Sequence, residues 1–273
     1  MRRLLGGTAL HVVVLAGALL ALTPLAWMVA ASFMPAGQAS DLPMRWLPDP
    51  PTTANYVALF QRLSLARHIA NSAVISLTAT ALSVLLNGMA GYAFAQLRFR
   101  GRDRLFQRLL LSLVIPAQVG MLPLFLLLRE MGLVNTYVGA MIPYLASVFG
   151  IFMIRQYVLS IPHGLLQAAR IDGASEWRVF WTMVVPVMRP VLVTFGTFTF
   201  LGAWNDLLWP LIVLTDSQKY TLPVAIASLS GEHVQDIELM MAGSVLTVLP
   251  AVAVFLAFQR SYVRGIVSGS IKG

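Results

Sequence analysis

The sequence contains no cysteine. That excludes disulfides, thiolate metal sites and a cysteine nucleophile, and it leaves the redox compartment unread. Charge is scarce too. Only 11% of residues are charged, against about 25% in an ordinary soluble domain. So few charges cannot cover a water-exposed surface, so most of the outer surface must face lipid. No catalytic constellation is present. His11, His68, His163 and His233 sit in unrelated segments, none with a histidine or acidic partner at metal-ligand spacing. No G-x-x-x-x-G-K-[ST] run occurs, so the chain carries no phosphate-binding loop of that type.

What is there is apolar: 58% of the 273 residues are hydrophobic. A membrane helix needs about 20 mostly apolar residues. Six stretches qualify, at roughly 10–31, 69–95, 105–127, 138–159, 191–214 and 240–258. In lipid the backbone must satisfy its own hydrogen bonds, so each is read as a helix, giving an all-α membrane protein with one transmembrane domain over 1–273. Stretch 10–31 follows Arg2 and Arg3 and ends in Val29, Ala30 and Ala31, which resemble a cleavage site. Its apolar run exceeds the 7–15 residues of a signal-peptide core, so an uncleaved first span is expected. Orientation follows from the basic residues. With the N-terminus in the cytoplasm, 14 of the 19 Lys and Arg residues fall inside. Only Arg45, Arg62, Arg67, Arg129 and Lys219 fall outside. Both termini are therefore expected in the cytoplasm, and the net charge of +8 needs no nucleic-acid partner.

The outer loop after the first span is proline-rich (Pro35, Pro43, Pro48, Pro50, Pro51) and carries Trp46. Span 69–95 has a stripe of small or polar residues at helical spacing, Ser72, Ser76, Thr80, Ser83, Asn87 and Gly91. Close helix packing and a pore lining are both compatible with it. Pro116 and Pro123 predict a kinked span over 105–127, either a static shape or a hinge. Asp206 is the one acidic residue expected inside a span, which makes it a functional candidate. With Trp204, Asn205, Trp209 and Asn87 it forms a candidate translocation lining, where a Trp could stack on a sugar ring. An interfacial belt or an interhelical hydrogen bond is the alternative. The last outer loop, with Glu232, Asp236 and Glu238, reads either as a landing surface for an external protein or as a solvated loop.

The stretch 165–190, LLQAARIDGASEWRVFWTMVVPVMRP, is a polar interruption between apolar spans. It reads as two short amphipathic helices. Gly173 supplies a left-handed position after the first. Ser175 is an N-cap for the second, with Glu176 in its first turn. Pro186 and Pro190 mark the return to the membrane.

Gln167, Ala168, Ala169, Arg170, Ile171, Asp172, Gly173, Ala174 and Ser175, followed by Phe180 and then Val185 and Pro186, resemble the signature loop of binding-protein-dependent ABC importer permeases. Ala168, Ala169, Asp172, Gly173, Ala174 and Pro186 match its E-A-A, D-G-A and L-P elements; Gln167 stands where the glutamate is usual. Other matches are similar to the carbohydrate branch, specifically the maltose-type second permease. They include Met121 to Phe125, Leu133 to Thr136, Trp204 to Asp206, Leu208 to Ile212, and a C-terminal series from Gln259 through Arg264, Gly265, Ser268 and Gly269 to Lys272 and Gly273.

The resemblance implies a six-span type I ABC importer permease in the bacterial inner membrane, importing a sugar or sugar derivative. It implies that loop 160–190, with Arg170 among its contact residues, docks on a partner ATPase. ATP and magnesium would bind there, with no cofactor on this chain. The implied partners are a second homologous permease, two ATP-binding cassette ATPases, an extracytoplasmic solute-binding protein and membrane lipid. Import of a non-sugar solute such as glycerol phosphate is the nearest alternative. A stand-alone secondary transporter would require paired ionisable groups at mid-membrane or an inverted repeat, and a membrane hydrolase would require clustered catalytic side chains. Neither pattern is seen.

Overall fold

The computed structural model describes residues 2–62, 64–232 and 236–270. His233, Lys272 and Gly273 lie outside the described residues. Among the described residues every regular element is helical. Helices α1 (Arg2–Ser32), α2 (Ala54–Arg62) and α3 (Leu65–Gln96) come first, then α4 (Arg102–Ser112), α5 (Met121–Glu130), α6 (Tyr137–Leu145) and α7 (Val148–Leu159). Helices α8 (His163–Ile171), α9 (Glu176–Val179), α10 (Val185–Asn205), α11 (Leu208–Val213), α12 (Leu222–Glu232) and α13 (Ile237–Ser270) complete the order. Four helical stretches are long and apolar enough to cross a membrane, and up to six if each of two bent pairs counts as one span.

Breaks fall within three of the expected spans, one of them the stretch where a proline kink was expected. The span expected over 105–127 is broken. Helix α4 and the helical stretch Ala117–Glu130 meet at 100°. Pro116 lies at the break with extended backbone, φ −58° and ψ 135°, and it has no N–H to continue the helix. The span expected over 138–159 is bent by 44°, because Ala146 and Ser147 are extended. The span expected over 191–214 ends at Asn205, since Asp206 is extended at φ −71° and ψ 127°. Hydropathy registers composition, which does not change across these breaks.

The chain divides into two compact units. One comprises Met1–His68 and Leu222–Pro250. Here buried Asn55 donates Nδ2–H to the carbonyls of Ser32 (2.9 Å) and Met34 (2.8 Å), which caps the end of α1. The outer stretch expected to be a loop contains α12. Glu238, expected on a landing surface, is 1% exposed, and its Oε1 accepts from the Ala39 N–H at 2.6 Å. The carboxylate is turned inward because it holds the 37–41 turn.

The other unit comprises Ile69–Thr221 and Ala251–Gly273. Its larger core joins Tyr92 and Ala95 of α3, Ile154 and Val158 of α7, Leu166 of α8, and a row from Val179 to Phe195. The small-residue stripe of α3 faces inward: Ser72, Ser76, Ser83 and Asn87 are buried. A Cβ on Gly91 would lie 2.7 Å from Ile154 Cγ2. Only glycine lets α3 and α7 approach this closely, which is the close-packing use of such a stripe.

Candidate functional site

Two groups of residues carry the candidate chemistry. The first is the 160–190 segment. Helix α8 starts after Pro162 and ends in a two-bond turn. The Ala174 N–H donates to Ala169 O at 3.0 Å and the Gly173 N–H to Arg170 O at 3.1 Å. Gly173 sits at φ +83°. These are the paired bonds of a glycine-terminated helix. Ser175 Oγ then accepts the Arg178 N–H at 3.3 Å and caps α9. Leu166, fully buried, fixes one face of α8 to the core, which stabilises it by roughly 1.5–3 kcal/mol. The other face is open: Gln167, Ala168 and Asp172 are exposed and Ile171 is 85% exposed.

The second short helix does not stop where the sequence suggested. Helix α9 runs through a wide π turn over Phe180–Val184 into α10, so Glu176–Asn205 is one helical stretch. The Val185 N–H reaches back to Phe180 O. A proline ring clashes with the carbonyl four residues before it. The extra residue in this turn precedes Pro186, which falls in the first turn of α10, and Pro190 lies inside α10, so neither proline marks the start of the Glu176–Asn205 stretch.

A further contact ties this segment to α3, and it was not visible in the sequence. Arg170 donates Nε–H to Glu176 Oε1 at 2.7 Å and Nη2–H to Oε2 at 3.2 Å. The Tyr92 hydroxyl of α3 donates to the same Oε2. Hydrogen bonding to Glu176 raises the Arg170 guanidinium above its already high ordinary pKa, so the cation persists at any physiological pH. One carboxylate thus clamps the end of α8, the start of the α9–α10 helix and α3. The i to i+6 spacing of Arg170 and Glu176 spans a turn, and Tyr92 lies 84 residues away.

The second group surrounds the breaks in α6–α7 and α10–α11. Asn87, 1% exposed, bridges the first break: Nδ2 donates to Leu145 O at 3.0 Å and Oδ1 accepts the Ser147 N–H at 2.8 Å. Its amide replaces bonds that the extended residues forfeit. Asp206 bridges the second break. Oδ1 accepts the Leu208 N–H at 2.9 Å and Oδ2 accepts from the Tyr144 hydroxyl of α6. Trp209 is 1% exposed and donates Nε1–H to Gly139 O at 3.1 Å. Trp204 is buried and stacks on Phe200 with centroids 5.7 Å apart. Asn205 is exposed and donates to Leu201 O at 2.8 Å. A cavity of about 280 Å³ opens beside this group, lined by Tyr144, Ser147, Phe149, Phe195, Phe198 and Thr199 among others. The structure thus gathers Asp206 and Trp209 around α6, while Asn87 stands at the neighbouring break. Tyr144, which the sequence reading did not select, joins Asp206 to the cavity. Among the described residues no group of three or more His, Cys, Asp or Glu side chains is placed to hold a metal ion.

The profile of the binding-protein-dependent transport system inner membrane components matches residues 87–268. The chain belongs to that family. This ABC transporter permease is 36% identical over 259 residues to the arabinooligosaccharides transport system permease protein AraQ of Halalkalibacterium halodurans, covering 94% of this chain and 93% of that one. It is 37% identical over 218 residues to the lactose transport system permease protein LacG of Rhizobium radiobacter, with 80% of each chain covered. Among solved structures, its fold is similar to that of a bacterial ABC transporter involved in the import of the acidic polysaccharide alginate. The TM-score is 0.83 at 24% identity, over 94% of this permease and 96% of that chain.

Proposed function

We propose that this permease is one transmembrane subunit of an ATP-driven importer for a sugar or oligosaccharide. It crosses the bacterial inner membrane six times, with the two bent pairs counted as single spans and both termini cytoplasmic. It works beside a second homologous permease, two ATP-binding cassette ATPases that bind ATP and magnesium, and an extracytoplasmic solute-binding protein. The observation that carries this reading is the build of the 160–190 segment. Helix α8 is clamped on one face and open on the other, and the second arm of its turn is continuous with the membrane helix α10. A helix placed that way converts a push on its open face into movement of α10.

In this mechanism Gln167, Ala168, Ala169, Arg170, Asp172, Gly173, Ala174 and Pro186 form the coupling segment. Ala168 on the open face admits close approach of the ATPase, and Gln167 offers a neutral amide where related loops carry a carboxylate. ATP binding draws the two ATPases together and each displaces a permease loop. The packing between the two permeases then switches, closing the pathway inward and opening it toward the loaded binding protein. Such packed interfaces are bistable rather than continuously deformable. Tyr144, Asp206, Asn205 and the cavity beside them supply a polar and aromatic wall of the kind a sugar ring contacts. Trp204, Trp209 and Asn87 stand behind that wall as supports, because their polar groups and faces engage the protein. No basic side chain lines the cavity, which favours a neutral solute over glycerol phosphate. Asp206 engages the Tyr144 hydroxyl and a backbone amide rather than a second carboxylate or a basic side chain, which disfavours ion-coupled transport by this chain alone.

The cysteine-free background allows a direct test. A single cysteine at Ala168, in the complex purified through this chain, should crosslink to a co-purifying ATPase subunit, and more strongly when nucleotide is present. Unimpaired ATP-driven uptake with no crosslink from either Ala168→Cys or Ile171→Cys would overturn the docking assignment.

A further inference from the structure

The segment between α1 and α2 is unusually well held for an exposed loop. Gln38 and Asp49 exchange two hydrogen bonds, Gln38 Nε2–H to Asp49 O at 2.5 Å and the Asp49 N–H to Gln38 Oε1 at 3.0 Å. Glu238 Oε1 holds the Ala39 N–H at 2.6 Å. The Thr52 N–H donates to Phe33 O at 2.8 Å and closes the base. Between these straps, residues 41–47 are all exposed. Their side chains are mostly apolar: Leu42 is 94% exposed, Trp46 57% and Leu47 75%, with Pro43 and Met44 between them. The only charges are Asp41 and Arg45, and they neutralise each other in an ion pair at 3.1 Å.

Among the described residues nothing covers the apolar side chains of this neutral tip, and one contact to its backbone fixes its depth. Trp27 of α1 donates Nε1–H to Arg45 O at 3.1 Å. Trp27 lies five residues before the end of α1 at Ser32, or about 7.5 Å below that end at 1.5 Å per residue. The loop therefore folds back alongside the last turns of α1, a helix that is exposed over residues 10–26 and becomes buried only at Ala31 and Ser32. Amphipathic segments that rest on a bilayer bury their apolar side to about 5–10 Å, and tryptophan favours that depth.

We propose that residues 41–47 are a lipid anchor: Leu42, Met44, Trp46 and Leu47 insert into the outer leaflet at the boundary between headgroups and acyl chains. The anchor pins the outer end of α1, and through Glu238 the start of α13, to the membrane surface. Three features select lipid over a protein. The tip is continuous with the lipid-facing surface of α1, it lies at interfacial depth, and it carries no net charge for a protein partner to read. The proposal rests on the reading of α1 as a span whose Ser32 end is outside.

The test uses the whole transport complex in lipid bilayers. A nitroxide is placed on single cysteines at Leu47, at mid-span Leu20 and at exposed Ser217, and its collisions with oxygen and with a water-soluble nickel chelate are compared. The expected result is oxygen-favoured collision at both Leu47 and Leu20 and nickel-favoured collision at Ser217. Nickel-favoured collision at Leu47 with oxygen-favoured collision at Leu20 overturns the anchor and leaves the span intact. Shielding of Leu47 from both reagents means that a partner subunit or the solute-binding protein covers the tip, and also overturns it. Nickel-favoured collision at Leu20 overturns the span and the anchor together.

Discussion

Gly173 is where one substitution should separate coupling from folding. Its φ is +83°, and a Cβ added there meets no heavy atom within 4 Å. A replacement therefore acts through the backbone alone. Alanine in a left-handed conformation costs about 1–2 kcal/mol, which lowers the population of the native turn by a factor of about 5–30. Asparagine tolerates that region better and should lose less. Proline is of a different order: its φ is locked near −65°, and it also removes the N–H that donates to Arg170 O at 3.1 Å. The turn sets the angle between α8 and the α9–α10 helix, so Gly173→Pro should abolish ATP-dependent uptake, Gly173→Ala should reduce it, and Gly173→Asn should fall between Gly173→Ala and the parent. The spans lie outside the turn, so all three variants should insert and co-purify with their partners. The assay is solute uptake into vesicles beside the yield of assembled complex and its ATPase rate. Normal ATP-driven uptake by an assembled Gly173→Pro complex would refute the coupling role.

Further outcomes follow from the contacts around that turn and from the helix breaks. Glu176→Gln removes a partly exposed ion pair of a kind worth about 0.2–1 kcal/mol while its amide oxygen can still accept from Tyr92, so thermal stability should scarcely change while solute transported per ATP falls. An unchanged ratio would reduce the clamp to a surface pair. Asp206→Asn weakens a charge-assisted bond worth roughly 1.5–3 kcal/mol and should slow transport more than it lowers complex yield, with Tyr144→Phe showing the same pattern. Unchanged transport in both would return Asp206 to a packing role. Gly91→Ala drives a Cβ to 2.7 Å from Ile154 Cγ2 and 3.1 Å from the Arg155 nitrogen, and such overpacking costs about 1–3 kcal/mol. Its melting temperature in detergent should drop, and an unaltered one would contradict the close approach of α3 and α7.

What could be read in advance was local. Gly173 and Ser175 are specified by backbone rules that act within a few residues, and both stand where those rules put them. The apolar runs likewise reported helices. What escaped was set by distant partners. The break at Ala146 and Ser147 exists because Asn87, about 60 residues earlier, replaces the lost backbone bonds. The break at Asp206 is stabilised by Tyr144 across 62 residues. Glu238 read as an exposed charge, on either a landing surface or a solvated loop, but its partner lies 199 residues away. The α9–α10 continuity was missed for another reason. Proline reads as a helix end, and a π turn is a solution that no residue pattern announces.

The most direct measurement is uptake of a labelled oligosaccharide by the purified complex in proteoliposomes, with the solute-binding protein outside and ATP inside. Accumulation should require both, should be lost when ATP is replaced by a non-hydrolysable analogue, and should be lost in Gly173→Pro. Accumulation driven by an ion gradient without ATP, or ATP-driven accumulation undiminished in Gly173→Pro, would contradict the mechanism.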